Sequence, residues 1–438
     1  MRAPPRIAVI TFLGAAALWF ASQLTLLTAG LRTPTEDDLM VTRAITDPAY
    51  SAGIRVLDYE MGRIYSGIKF SFLEWILRLQ PDGLHAAARV AMVVLAAGAA
   101  AWFTWVWRRK SGEALLVFAV SLGLMQISLS YQALLSQQWF WLGWTALWIM
   151  GALALQPDST ANRSGIALAF AAALVGHESN AAFVLWPVAL RAVGRGEKIF
   201  WAALRPFWAC AVVLVVYGGL SLAVRQQMTD TRHIYGGTVL SPDLGRFALA
   251  WNVFSLSTVP GVEAWRVRWS DPGFPSWLTP AQWLEQVRAW TNLVGLIGAT
   301  LVGAVVWLGL AREEAEPDAR ASRAHPAAML ALLIAAAYAP NLLLAATIKY
   351  QGWAQQRMWP YYYSSMSYLA WMVFFVTGTG SALSALRRPG GHAIGRALAA
   401  GLAVVIALSV FSSSREALAY LRREPLHHIK GYPHGPLK

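Results

Sequence analysis

The stretch IFWAALRPFWACAVVLVVYGGLSLA, residues 199–223, decides the fold class. Its 25 residues carry one charge, Arg205, near the start. The remainder is long and apolar enough to cross a hydrocarbon core as an α-helix. Working outward, further runs of roughly spanning length occupy 7–29, 87–107, 113–130, 138–155, 165–176, 181–193, 289–311, 326–347, 361–380 and 394–412. Runs 165–176 and 181–193 are short, and read either as two broken helices or as a helical hairpin dipping from one side. The expected count is therefore eleven, within a range of 9–13, and the fold class is an all-α polytopic membrane protein. Residues 1–438 read as a single transmembrane domain. The run at 7–29 exceeds a signal-peptide core and is expected to be a retained first helix.

Composition agrees. Hydrophobic residues make up 57% and charged residues 13% of the chain, about half the charged share of a soluble domain. The 22 Trp, 17 Phe and 14 Tyr supply aromatic mass of the kind that anchors at membrane interfaces. The single cysteine, Cys210, lies inside the deciding stretch, which excludes an internal disulfide and a cysteine metal site. A formal charge of +13 would point to nucleic acid in a soluble chain, but in a membrane protein it is first a topology signal. With the N-terminus inside, the short inner segments and their flanks hold 16 of the 36 Lys and Arg residues. Among them are Arg108, Arg109, Lys110, Arg163, Arg191 and Arg205, and the short outer segments 131–137 and 177–180 hold none. The long loops 30–86 and 224–288 then face out, with the shorter 348–360 and a basic tail, 413–438. No nucleic-acid partner is needed.

Polar residues collect at the outer helix ends rather than at the midplane, so a site at the outer membrane surface is expected. The first loop opens with Thr33-Pro34-Thr35-Glu36-Asp37-Asp38. Three adjacent carboxylates repel one another, which raises at least one pKa and suits it to accept a proton from a hydroxyl. They equally suit the first turn of a helix capped by Thr35. Downstream, SFLEWILRL at 71–79 puts Phe72, Trp75, Ile76 and Leu79 on one helical face, as in a helix lying at the interface. Arg63 and Lys69 are cations that either bind phosphate or neutralise nearby acids. Gly176-His177-Glu178-Ser179-Asn180 is a polar turn between two short apolar runs, read as a functional His-Glu pair or a satisfied hairpin tip. KYQGWAQQRMWP at 349–360 offers Lys349 and Arg357 among aromatic residues, suited to phosphate and sugar or to an interfacial belt. The loop 224–288 adds Arg225, Arg232, His233 and five Trp, and Thr279-Pro280-Ala281-Gln282 reads as a helix start.

A first helix, a long outer loop opening on an acidic pair, interfacial helices, a polar hairpin turn and a late outer-loop arginine together resemble the GT-C superfamily of membrane glycosyltransferases. The resemblance covers topology over most of the chain, and its one motif is the acidic pair. It implies transfer of a sugar from a polyprenyl-phosphate donor to a glycan, lipid or protein acceptor at the outer face of the cytoplasmic membrane. Asp37 and Asp38 would then be catalytic, Arg357 and Lys349 would hold the donor phosphate, and Arg63, Arg225, His177 and Glu178 would complete the substrate site. No motif demands a cofactor; a divalent cation stays open. Two other readings stand beside it. An O-antigen ligase or polymerase would use Arg225, Arg232 and His233 and not need the acidic cluster. A lipid or polysaccharide transporter would need inverted repeats and midplane polar residues.

Overall fold

In the computed structural model of the chain, the described residues are 43, 47–60, 63–78, 82–118, 121, 136–194, 200–227, 240–257, 326–355 and 364–385. Among them the regular elements are helical, and the β contact is an isolated bridge between Leu240 and Thr347. In chain order they are α1 (Pro48–Glu60), α2 (Ser66–Arg78), α3 (Asp82–Arg108), α4 (Ser136–Ala154) and α5 (Thr160–Gly176). A 3₁₀ turn, Glu178–Phe183, leads to α6 (Trp186–Gly194), then α7 (Phe200–Gln227) and α8 (Leu244–Ser257). The last are α9 (Pro326–Ala345), α10 (Ile348–Gln355) and α11 (Ser364–Ala385). The expected spans 7–29, 289–311 and 394–412, the helix start at Thr279, the acidic residues 36–38, and Arg232, His233 and Arg357 lie outside the described residues.

Among the described residues two helices are long and apolar enough to cross a membrane, Ala91–Arg108 within α3 and Leu204–Gln227 within α7. They differ in surroundings. Half of the first is buried inside the protein, whereas only 6% of the second is. Along α7, Trp208, Val212, Val215, Val216, Leu220 and Leu222 are all exposed, an apolar surface that water would penalise and lipid would not. The broken reading of 165–193 is the observed one. Run 165–176 belongs to α5, which starts earlier because Ser159 caps it, accepting the Asn162 N–H at 3.1 Å. Run 181–193 is no span; it is the 3₁₀ turn followed by the nine-residue α6.

The core lies where α3, α4, α5, α6, α9 and α11 meet. Trp141, Trp144 and Trp148 of α4 are fully buried, and Phe103 of α3 meets Trp148 edge-on at 5.1 Å between ring centres. Close packing of these rings carries the association of the helices. Small residues permit it. At the α4–α5 crossing, a Cβ on Gly176 would stand 2.6 Å from the Gly143 Cα, closer than any side chain tolerates. The two backbones touch there, one residue before His177.

Polar groups gather at two ends of this bundle, separated by the length of α5, about 25 Å. At one end Asp158 meets Arg163, Arg191 and Arg205, and the buried Glu113 meets Arg108 at 2.7 Å and Lys110 at 3.4 Å. At the other, α1 and α2 fold over the turn after α5.

Candidate functional site

α5 ends because His177 leaves the helical region (φ −168°, ψ 139°), and His177 then caps the 3₁₀ turn. Its Nδ1 accepts the Ser179 N–H at 3.1 Å and lies 2.8 Å from the Ser179 hydroxyl. An Nδ1 that accepts a backbone N–H fixes the neutral tautomer with its proton on Nε2. Burial holds His177 low, at about 4; Glu178 opposes this, and Arg63, Lys69 and Lys349 add to it. The ring is neutral at physiological pH, and it packs on Phe140 at 5.3 Å. Asn180 anchors the turn from below, donating through Nδ2 to the Ala173 carbonyl at 2.8 Å.

Glu178 faces the first loop. Arg63 grips it with a fork, Nη2 to Oε1 at 2.8 Å and Nε to Oε1 and Oε2 at 3.2 and 3.3 Å. The Tyr65 hydroxyl donates to Oε2 at 2.9 Å. Arg63 Nη1 also reaches Asp58 Oδ1 at 3.3 Å, and Asp58 Oδ2 accepts from the Ser66 hydroxyl at 2.9 Å. Burial alone would raise Glu178, but the Arg63 guanidinium outweighs it and holds the carboxyl well below its usual range. Burial likewise keeps the Tyr65 hydroxyl protonated. Tyr65 stacks on Trp139 at 6.1 Å, and Phe72 packs on the same ring at 5.5 Å. Trp139 in turn donates from Nε1 to the Val175 carbonyl at 2.8 Å. Thus α1 and α2 are fixed to the α4–α5 elbow by one ion-pair chain and one aromatic plate.

The third contributor is the late loop. Ser241 N–H donates to the Ala346 carbonyl at 2.8 Å, which joins the segment before α8 to the α9–α10 junction. Gln351, buried in α10, donates to the Ala345 carbonyl at 3.0 Å and tightens that corner. α9 packs on the 3₁₀ turn, so Lys349 comes within electrostatic reach of His177, as Lys69 does from α2. Lys349 Nζ lies over the Trp353 ring at 4.9 Å and the Tyr350 ring at 5.4 Å.

The expected site residues therefore divide. Arg63, His177, Glu178 and Lys349 come together, and Lys69 joins them. Arg63 pairs with Asp58 and Glu178, and the acidic residues 36–38 that it was expected to neutralise or share a phosphate with lie outside the described residues. Arg225 is exposed in the last turn of α7, whose Tyr217 lies within electrostatic reach of Glu178 and Arg63. Asp37, Asp38 and Arg357 lie outside the described residues. The interfacial helix expected at 71–79 is α2, with Phe72 turned to Trp139 and Trp75 left 56% exposed. Asp58, Tyr65, Ser66 and Trp139 were not singled out from sequence, because their partners are set by tertiary contact. Among the described residues no group of three or more His, Cys, Asp or Glu side chains could hold a metal. Set against protein-family models, curated proteins and solved structures, the chain finds no match in any of the three.

Proposed function

We propose that this chain is an integral-membrane glycosyltransferase of about eleven spans, moving a sugar from a polyprenyl-phosphate donor to an acceptor at the outer face of the cytoplasmic membrane. The observation that carries the reading is the convergence of the first loop, the His177 turn and Lys349 at one end of an apolar bundle. Lys69 and Lys349 bring positive charge to that end, and the donor phosphate is placed beside them. Arg63, bound to two carboxylates, holds the loop in position rather than the substrate. The neutral His177 carries its proton on Nε2, 3.8 Å from Glu178 Oε2, and adds no charge to the site.

In the reaction the bond from the anomeric carbon to the phosphate oxygen breaks, and the electron pair leaves with the polyprenyl phosphate. Cations fixed beside that phosphate stabilise its rising charge. The acceptor oxygen bonds the anomeric carbon and gives its proton to Asp37 or Asp38. Arg357 supplies a second, bidentate phosphate contact. The test is sugar transfer from a polyprenyl-phosphate donor by the purified chain, with Asp37→Asn, Asp38→Asn, the double variant and Lys349→Gln. The double amide variant should lose turnover and keep donor binding, and Lys349→Gln should weaken donor binding. Near wild-type transfer by the double variant would sink the carboxylate mechanism.

A further inference from the structure

At the opposite end of the bundle, three arginines from three helices close on a single carboxylate. Asp158 Oδ1 lies 3.0 Å from Arg191 Nη2 and 3.6 Å from Arg163 Nε, and Oδ2 lies 3.4 Å from Arg205 Nη1. Partial burial would raise the Asp158 carboxyl, but Arg191, Arg205 and Arg163 together hold it below its usual range. Arg191 alone would answer that charge. It is fully buried, and its Nε and Nη1 find no hydrogen-bond acceptor among the described residues. Three guanidinium groups against one carboxylate leave an excess of two positive charges. Arg163 and Arg205 are 39% and 61% exposed, so that excess opens to the surface.

We infer that Arg163, Arg191 and Arg205, gathered on Asp158, form a headgroup site for an anionic phospholipid whose acyl chain follows α7. Arg163 and Arg205 approach opposite oxygens of the carboxylate, so a phosphate seated beside it meets both. Buried Arg191 makes the floor electropositive. The lipid source follows from α7 itself. Arg205, Trp208, Val212 and Val216 fall within about 80° of one another around the helix axis. All four are exposed, which makes an apolar stripe that starts at the cation. Free phosphate has no use for that stripe, whereas a diacyl lipid fills it. Basic residues at the end of a helix bundle are the usual seat of acidic lipid headgroups. This inference does not depend on glycosyl transfer.

The test is native mass spectrometry of the full chain in detergent, titrated separately with phosphatidylglycerol, phosphatidylcholine and inorganic phosphate. Wild type should retain phosphatidylglycerol about tenfold more tightly than phosphatidylcholine, and Arg205→Gln should weaken the former about fivefold. Asp158→Asn should tighten phosphatidylglycerol binding, because the competing negative charge is gone; a purely structural ion cluster gives no such gain. If Asp158→Asn does not fold, the Arg163→Gln/Arg205→Gln pair decides, since both side chains reach the surface. Equal retention of the two lipids, or phosphatidylglycerol binding untouched in the arginine variants, overturns the site. Competition by millimolar phosphate together with no dependence on acyl-chain length overturns the lipid and leaves a free-anion site.

Discussion

Breaking the Arg63–Glu178 pair should loosen α1 and α2 without unfolding the bundle. The pair is bidentate, and its side chains are 21% and 33% exposed, between the surface and buried regimes. Exposed pairs are worth about 0–1 kcal/mol, and removing one partner of a buried pair costs about 3–5 kcal/mol. A third of Glu178 can rehydrate, so we expect about 2 kcal/mol for Arg63→Gln or Glu178→Gln. Every ~1.4 kcal/mol is tenfold, so amide exchange in 48–78 should rise about thirtyfold where opening is local. Exchange in α4 and α5 should not change, because the core rings there do not touch the pair. The double variant tests the coupling. In the double variant the Glu178 charge is no longer stranded, and Asp58 loses its cation no more than in Arg63→Gln alone, so the cost should fall at least about 1 kcal/mol short of the sum of the singles. Additive single effects, or protection in 48–78 unchanged in either single variant, would refute the account of how the first loop is held.

Acid should act through His177. Its folded value of about 4 lies below the model-peptide value near 6.5, so between these the unfolded chain binds a proton that the folded chain does not. Stability is therefore full above about pH 6.5 and falls as pH drops toward 4, by about 2–3 kcal/mol; His177→Asn should flatten that limb of a pH–stability curve. Glu178, depressed by Arg63, keeps its charge across this window, and its contribution is lost only at lower pH. At the elbow, Gly176→Ala should destabilise by about 2–3 kcal/mol, since its Cβ meets backbone at Gly143 that cannot retreat. Gly218→Ala and Gly219→Ala in α7 meet nothing within 4 Å and should be neutral or raise thermal stability slightly. A melting series of the three alanine variants checks the contrast.

The apolar runs located α3, α4, α7, α9 and α11 because length and hydrophobicity are local properties that lipid and core select alike. They misjudged α5 and the segment after it. The polar start of α5, TANRS, carries a cap rather than apolar residues, and the apolar run 181–193 joins the end of the 3₁₀ turn to the nine-residue α6, neither long enough to span. For the site, the isolated polar turn at His177 and Glu178 was legible, since ionisable groups between apolar runs need a partner. The partner was not. Arg63 lies 115 residues away, and Asp58 reads as an ordinary solvent-facing acid of an amphipathic helix until Arg63 and Ser66 close on it. Chain separation of that size leaves no periodicity to read.

That same separation sets an order of events during synthesis. At about 5–20 residues per second, Arg63 is made some 6–23 s before Glu178. Throughout that interval Arg63 lacks Glu178, Asp58 being its partner already made, and the aromatic plate at Trp139 is also missing for part of it. The first loop thus waits for the α4–α5 hairpin to form before it can dock. Ribosome-stalled chains cut short of residue 178 should leave 48–78 open to protease, and chains extended past α6 should protect it. Equal protection in both would place the docking before the hairpin.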